Sequence, residues 1–291
     1  MPELPEVEVT RRSIEPKLVG RVIAAVHTGK PSYFFLTPPR ELQKRLTGRK
    51  VTGLNRHGKY LLAKLDDGSR LLLHLGMTGQ LFTQGASSVR LLSATARASL
   101  KPQEQPQFTP DKHTHLRLTF ADGPPDVIFR DVRKFGKVKL LDKNESDARL
   151  DKLGPDALEA TADQLFRAIT GREIAIKSAL MDQGVLAGAG NIYADEALFL
   201  AGIQPKKPAG RLKKAQCEAL LKALQGVLRR SIETGGSSIS DYVTPDGSDG
   251  GYQDERRVYA RTGAPCYACG TAIKRVVIGQ RSAHYCPQCQ K

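Results

Sequence analysis

The stretch YLLAKLDDGSRLLLHL, residues 60–75, holds two short leucine-rich runs on either side of Asp66-Asp67-Gly68-Ser69. Each run has strand length. The Asp-Gly turn between them is hairpin chemistry, because glycine takes the positive φ that a tight reversal demands. Further apolar runs of the same kind stand at residues 21–26, 50–55, 115–120, 127–130 and 137–141. Connections this short cannot serve as crossovers, so the strands are predicted to pair antiparallel and to stack as a β-sandwich.

Ahead of the strands, Val7, Ile14 and Leu18 recur at helical spacing, with Pro2 and Pro5 where a first turn tolerates proline. Residues 84–107 are polar, rich in Ser, Ala, Gln and Pro, and aperiodic, which reads as a surface insertion. From about residue 143 the pattern turns helical. Residues 162–169 form one predicted helix. Residues 213–232 form another, with Leu220, Leu224, Val227 and Leu228 on one face and Gly235-Gly236 as its stop. Cys217 lies inside that pattern and reads as a buried core thiol. The expected fold class is therefore α+β and multidomain. A β-sandwich with an N-terminal helix spans residues 1–142, a helical part with a Gly-rich loop spans 143–255, and a cysteine-bearing segment spans 256–291.

Composition bounds the function. Hydrophobic residues make up 40% of 291, enough for real cores, and no apolar run approaches the roughly 20 residues needed to span a bilayer. The formal net charge of +15 points to a polyanionic partner, with nucleic acid ahead of an anionic membrane. The N-terminus, MPELPEVEVT, lacks the basic and apolar regions of a secretory signal, so the expected compartment is a reducing cytoplasm.

Four of the five cysteines fall in the last 26 positions, as Cys266-x2-Cys269-x16-Cys286-x2-Cys289. Each CxxC lets two thiolates from one tight turn reach one metal, and two such knuckles complete a closed tetrahedral site, so one structural Zn2+ is expected. Redox pairs or disulfides are the alternative reading. Seven Lys and Arg and no Asp or Glu lie between Arg256 and Lys291, which suits a phosphate-contacting finger.

At the other end, Glu3 and Glu6 are neighbours on one helix face, a spacing that dipole stabilisation alone explains. Pro2 adds a chemical reason. Removal of a methionine ahead of a small residue exposes a secondary amine. An α-amino group titrates near 7.7–8, so a substantial fraction is unprotonated at neutral pH. A secondary amine attacking a carbonyl carbon gives an iminium ion directly, which is an electron sink. Glu3 stands beside it as a proton carrier.

Pro2-Glu3-Leu4-Pro5-Glu6-Val7-Glu8 resembles the opening of the bacterial formamidopyrimidine-DNA glycosylase family (8-oxoguanine DNA glycosylase/AP lyase), and the resemblance continues along the chain. His74-Leu75-Gly76-Met77-Thr78-Gly79 is similar to that family's loop with an inserting methionine. Asp131-Val132-Arg133-Lys134-Phe135-Gly136 is similar to its Asp-Pro-Arg-Arg-Phe-Gly segment. Gly188-Ala189-Gly190-Asn191-Ile192-Tyr193 is similar to its helix–two-turns–helix signature, and the four cysteines to its zinc finger.

The resemblance implies a monomeric, bifunctional glycosylase and lyase. It would excise oxidised purines from damaged double-stranded DNA held in a cleft between lobes. By motif match, Pro2 is the Schiff-base nucleophile and Glu3 the proton donor at the sugar. Lys59 assists β-elimination, and Arg281 assists δ-elimination and grips a phosphate. His74, Met77, His113, Arg133, Phe135, Arg172 and Asn191 contact DNA. Without the resemblance Met77 and Phe135 read as core, Asn191 as a turn residue, His113 as merely exposed and Lys59 as a solvated strand start. With it, Met77 and Phe135 enter the duplex beside Arg133 as the damaged base is extruded.

Three features depart from the pattern. Val132 stands where the family usually carries proline, residues 84–107 are longer than expected, and Ser240 stands where some members carry a basic residue in the loop that covers the extruded base. Two other readings compete. An endonuclease VIII-like glycosylase for oxidised pyrimidines is disfavoured by Leu4, Met77 and the Arg133–Phe135 pair. A non-catalytic zinc-finger DNA-binding protein is disfavoured by the intact Pro2-Glu3 and Lys59. RNA binding has less support, with 6% aromatics and no stacking signature.

Overall fold

The computed structural model describes residues 2–86, 110–238 and 242–291. Most of the 84–107 insertion and Ser240 lie outside them. The chain divides into two compact units. One comprises residues up to Asp147 together with Thr234–Gly251; the other comprises Ala148–Glu233 and Tyr252–Lys291.

The first unit opens with α1 (Leu4–Leu18), followed by β1 (Ile23–Thr28), α2 (Pro39–Leu46), β2 (Val51–His57), β3 (Tyr60–Leu65), β4 (Arg70–His74), β5 (Gly79–Thr83), β6 (Thr114–Phe120), β7 (Val127–Asp131) and β8 (Lys137–Leu141). The strands form two antiparallel four-stranded sheets, β1-β6-β7-β5 and β2-β3-β4-β8. Both contribute to one apolar core. Leu61, Ala63 and Leu65 point inward from β3, Leu71 and Leu73 from β4, and Leu116, Leu118 and Phe129 from the other sheet. The expected sandwich is thus present, and its register follows the period-two alternation of side chains. The predicted hairpin pairs Tyr60 with His74 and Lys64 with Arg70, and Gly68 in its turn has φ +84°. Helix α1 buries Leu4, Val7, Ile14 and Leu18 and packs on β2, β3, β5 and β7.

Two elements of this unit are absent from the sequence expectation. Helix α2 is two turns long with only Leu42 and Leu46 as buried repeats after Pro39 at its start, too short for a clear helical period. Strand β5 has four consecutive buried residues, Gly79–Phe82, and so shows no alternation.

The second unit contains α3 (Ala148–Asp151), α4 (Ala162–Ile169), α5 (Ile176–Met181), α6 (Asn191–Leu200), α7 (Lys214–Glu233), β9 (Lys274–Ile278) and β10 (Arg281–Tyr285). A reciprocal capping box starts α4, with Thr161 Oγ1 accepting from the Gln164 amide and Gln164 Oε1 from the Thr161 amide. Helix α7 buries Leu220, Leu224, Val227 and Leu228 as expected, and Cys217 is fully buried with them. Helix α6 is buried almost all round. Its acids are satisfied internally: Asp195 pairs with Lys177 at 2.6 Å, and Glu196 accepts the amides of Arg257, Val258 and Tyr259. Strands β9 and β10 form the terminal antiparallel hairpin. Among the described residues, no helix is long and apolar enough to cross a membrane.

Candidate active site and nucleic-acid interface

Pro2 and Glu3 are buried at the head of α1, and Glu3 is the helix N-cap. Glu6 has a structural task as well as a favourable dipole position. Its Oε2 accepts the backbone N–H of Glu3 at 2.8 Å, and its Oε1 accepts the backbone N–H of Ser237 at 2.9 Å. One carboxylate therefore fastens the candidate nucleophile's neighbour to the segment from Thr234 onward. Gly236 permits this approach with φ +87°. A Cβ there would come 3.1 Å from Glu6 Oε1 and 3.0 Å from the Tyr242 ring. Burial beside the Glu6 charge pushes the Tyr242 phenol far above its ordinary range, so it stays neutral.

The candidate lysine lies on the neighbouring hairpin. Gly58 and Lys59 form the turn between β2 and β3, with His57 paired to Tyr60 across it. Lys59 is buried at 8% exposure, not solvated. Arg56, three residues earlier on β2, reaches Glu8 on α1. Burial would raise the Glu8 carboxyl, but hydrogen bonds from Arg11, Arg12 and Arg56 outweigh it and hold the group at about 2. His74 closes β4 with its ring 4.6 Å from that of Tyr60.

The loops at residues 74–79 and 131–136 come together. Met77, Val132 and Phe135 are exposed at 36%, 47% and 42%. These apolar residues are not core, contrary to what their types alone suggest. The Arg133 guanidinium lies 4.8 Å from the Phe135 ring centroid, and the Arg133 amide donates to Thr78 Oγ1 at 3.1 Å. Tyr33 Oη donates to the Arg133 carbonyl at 2.8 Å. Val132 leaves the spacing of Arg133 and Phe135 intact. His113 is half-buried just before β6. Burial and the nearby Arg130 and Lys112 charges lower its pKa against the pull of Asp111, so it is neutral near pH 7.

The second unit carries the remaining candidates. Arg172 holds Asp182 at 2.9 Å, with both side chains about 40% exposed, a weak pair that a phosphate can exchange. Asn191 begins α6, and its buried Oδ1 has no hydrogen-bond partner among the described residues. Arg281 is exposed at the start of β10. Flanking the hairpin on both sides in the chain, the Sγ atoms of Cys266, Cys269, Cys286 and Cys289 all lie within 4.8 Å of one another, with 3.4 Å between Cys269 and Cys286 and 3.9 Å between Cys266 and Cys289. A tetrahedron with Zn–S near 2.3 Å has edges of about 3.8 Å, so four thiolates at these separations fit one structural zinc ion with no open position.

Reading the sequence overlooked Thr78 and Asp131, which tie the two exposed loops, and the pairings of Glu6 with Ser237 and of Glu8 with Arg56. The signal in the sequence was the placing of the acids Glu6, Glu8 and Asp131 within the quoted motifs.

Three family models match successive parts of the chain. Residues 1–138 match the formamidopyrimidine-DNA glycosylase N-terminal domain, residues 153–243 the formamidopyrimidine-DNA glycosylase H2TH domain, and residues 263–291 the zinc finger found in FPG and IleRS. The chain is 41% identical over 291 residues to the formamidopyrimidine-DNA glycosylase of Solibacter usitatus, and 40% identical over 294 residues to that of Neisseria meningitidis. The alignment covers all of both chains in each case. It is similar to a Lactococcus lactis FPG mutant solved in complex with a Fapy-dG containing DNA, at TM-score 0.83 and 34% identity with both chains fully covered. It is also similar to the MutM protein of Thermus thermophilus, at TM-score 0.82 and 34% identity, covering 99% of this chain and 98% of that one.

Proposed function

The chain belongs to the formamidopyrimidine-DNA glycosylase family, and from that premise we propose how its residues divide the work. It is a DNA glycosylase and AP lyase of base excision repair, acting on oxidised purines in damaged double-stranded DNA, with one structural zinc ion. The family match outweighs the pyrimidine-specific and non-catalytic readings.

In our reading the secondary amine of Pro2, freed by removal of Met1, attacks C1′ of the damaged nucleotide. The C1′–base bond breaks, the base departs, and Glu3 gives a proton at the sugar as its ring opens. The resulting iminium at C1′ acidifies C2′. Loss of a C2′ proton expels the 3′ phosphate, and a further elimination expels the 5′ phosphate. Lys59 assists the first elimination, and Arg281 the second while gripping a phosphate. Met77, Arg133 and Phe135 fill the space that the extruded nucleotide leaves, with His74, His113, Arg172 and Asn191 on the DNA backbone. Thiolate ligands persist in reducing surroundings, which supports a cytoplasmic site of action.

The single observation that carries this reading is the pair Pro2-Glu3, buried at the head of α1 with Glu6 holding the Glu3 amide. The test is borohydride trapping on duplexes bearing 8-oxoguanine, formamidopyrimidine or thymine glycol, with N-terminal mass spectrometry. The expected outcome is a covalent adduct at Pro2, strongest on the purine lesions. Trapping by protein that fully retains Met1 would move the nucleophile to Lys59. Preference for thymine glycol would favour the pyrimidine rival, and no trapping a binding protein.

A further inference from the structure

We propose that the Asp131 carboxylate and the Thr78 hydroxyl lock the Met77 loop and the Arg133–Phe135 loop into one preformed wedge, which makes both positioning residues for base extrusion. The proposal rests on the wedge role given above to Met77, Arg133 and Phe135.

Asp131 ends β7, pairs with Gly79 of β5 and is 0% exposed. Its carboxylate is spent on the two loops. Oδ1 accepts the Thr78 hydroxyl at 2.5 Å and the Arg133 amide at 3.2 Å; Oδ2 accepts the Gly136 amide at 2.7 Å. Thr78 is itself buried, and its Oγ1 accepts the Arg133 amide while donating to Asp131. The Thr78 hydroxyl thus bonds two residues of the other loop, one position from Met77 on its own.

The loop backbones also touch. Gly76 has φ +63°, and a Cβ on it would lie 2.5 Å from the Phe135 carbonyl carbon and the Gly136 nitrogen. A Cβ on Gly136 would meet Asp131 Oδ2 at 2.9 Å and the His74 carbonyl at 3.0 Å. Gly76, Thr78, Asp131 and Gly136 are buried at this seam, while Met77, Val132 and Phe135 beside them in the chain are exposed.

A buried carboxylate is costly unless its lone pairs are satisfied, so a site that spends one on two surface loops fixes their relative position firmly. Apolar tips on independently mobile loops lose their freedom on entering the duplex. Tips set on a shared rigid base have lost it in advance, so more of the insertion energy is left for unstacking the damaged base. The expected signature is a defect confined to steps that need extrusion.

The test compares single-turnover excision of 8-oxoguanine with cleavage of a pre-formed abasic site, at one salt concentration, in Thr78→Val, Thr78→Ser, Asp131→Asn, Met77→Ala and the Met77→Ala/Thr78→Val double variant. Thr78→Val keeps the volume and removes the hydroxyl. Losing that hydrogen bond should slow excision about 10-fold and abasic cleavage far less. Thr78→Ser should restore excision. The double variant should be little slower than Met77→Ala, because both changes disable the same wedge. If Thr78→Val slows both reactions equally, or matches wild type while Met77→Ala shows the selective defect, the lock is overturned and the wedge reading stands. If Met77→Ala shows no selective defect, the wedge reading fails and the lock fails with it. Thermal unfolding of each variant separates misfolding of Asp131→Asn from a positioning loss, and the Val–Ser pair keeps the test decisive if Asp131→Asn does not fold.

Discussion

Arg56 donates from Nε to Glu8 Oε2 at 3.0 Å and from Nη1 to the Gly58 carbonyl at 3.0 Å. One guanidinium thereby joins the helix that begins at Pro2-Glu3 to the turn that carries Lys59, and both side chains of the pair are more than 90% buried. The fork geometry of arginine suits this double attachment in a way lysine cannot reproduce.

The clamp has a pH signature. Glu8 titrates at about 2 in the folded protein against an ordinary 4.5. A carboxylate depressed on folding stabilises the native state fully above its unfolded value and loses that contribution as pH falls through the folded one. The window is therefore pH 4.5 down to 2. The contribution at neutral pH is about 2 kcal/mol after allowance for solvent around Arg11 and Arg12. Urea unfolding at pH 6 and pH 3 should show a smaller acid loss for Glu8→Gln than for wild type. Parallel losses would mean the clamp adds no pH-dependent stability.

Gly236→Ala should weaken the enzyme without touching a reacting group. A left-handed φ of +87° disfavours any side chain by about 1 kcal/mol, and the added carbon would crowd Glu6 and Tyr242. Disturbing Glu6 loosens its hold on the Glu3 amide. Both the melting temperature and the rate of borohydride-trapped adduct formation should fall. A lower melting temperature with an unchanged trapping rate would limit Glu6 to a structural role.

Arg281→Ala should reduce both duplex affinity and its salt dependence. Losing one phosphate contact lowers the slope of log K against log salt by about 0.9. Fluorescence anisotropy across a salt series measures it, and an unchanged slope removes Arg281 from the phosphate.

Zinc removal should cost more than that single substitution. Cys266 and Cys286 are buried in a small core with Phe199, Val258 and Ile273, so releasing the thiolates unpacks the segment that supports β9 and β10. After chelation, DNA affinity should fall below that of Arg281→Ala and recover when zinc is returned. Retained tight binding in metal-free protein would show that the hairpin folds without the ion.

The sequence alone determined the features whose physics is local. Residues 60–75 specify a hairpin because strand period and turn chemistry sit within sixteen positions. The CxxC knuckles specify a four-thiolate site because each spans a single turn. The reactivity proposed for Pro2 is a property of one amine. Helix α6 was legible only through its motif, since a helix buried on every side has no polar stripe to set its period. Strand β5 was hidden in the same way by four buried residues in a row, and helix α2 by having only two turns in which to show a period. Only the tertiary structure decided that Met77 and Phe135 are exposed on joined loops, that Asp131 and Thr78 do the joining, and that Glu6 meets Ser237 across 231 positions. Those relationships are distances between segments far apart in the chain. A residue's type states which bonds it can make, and only the packing of the sandwich states which partner arrives.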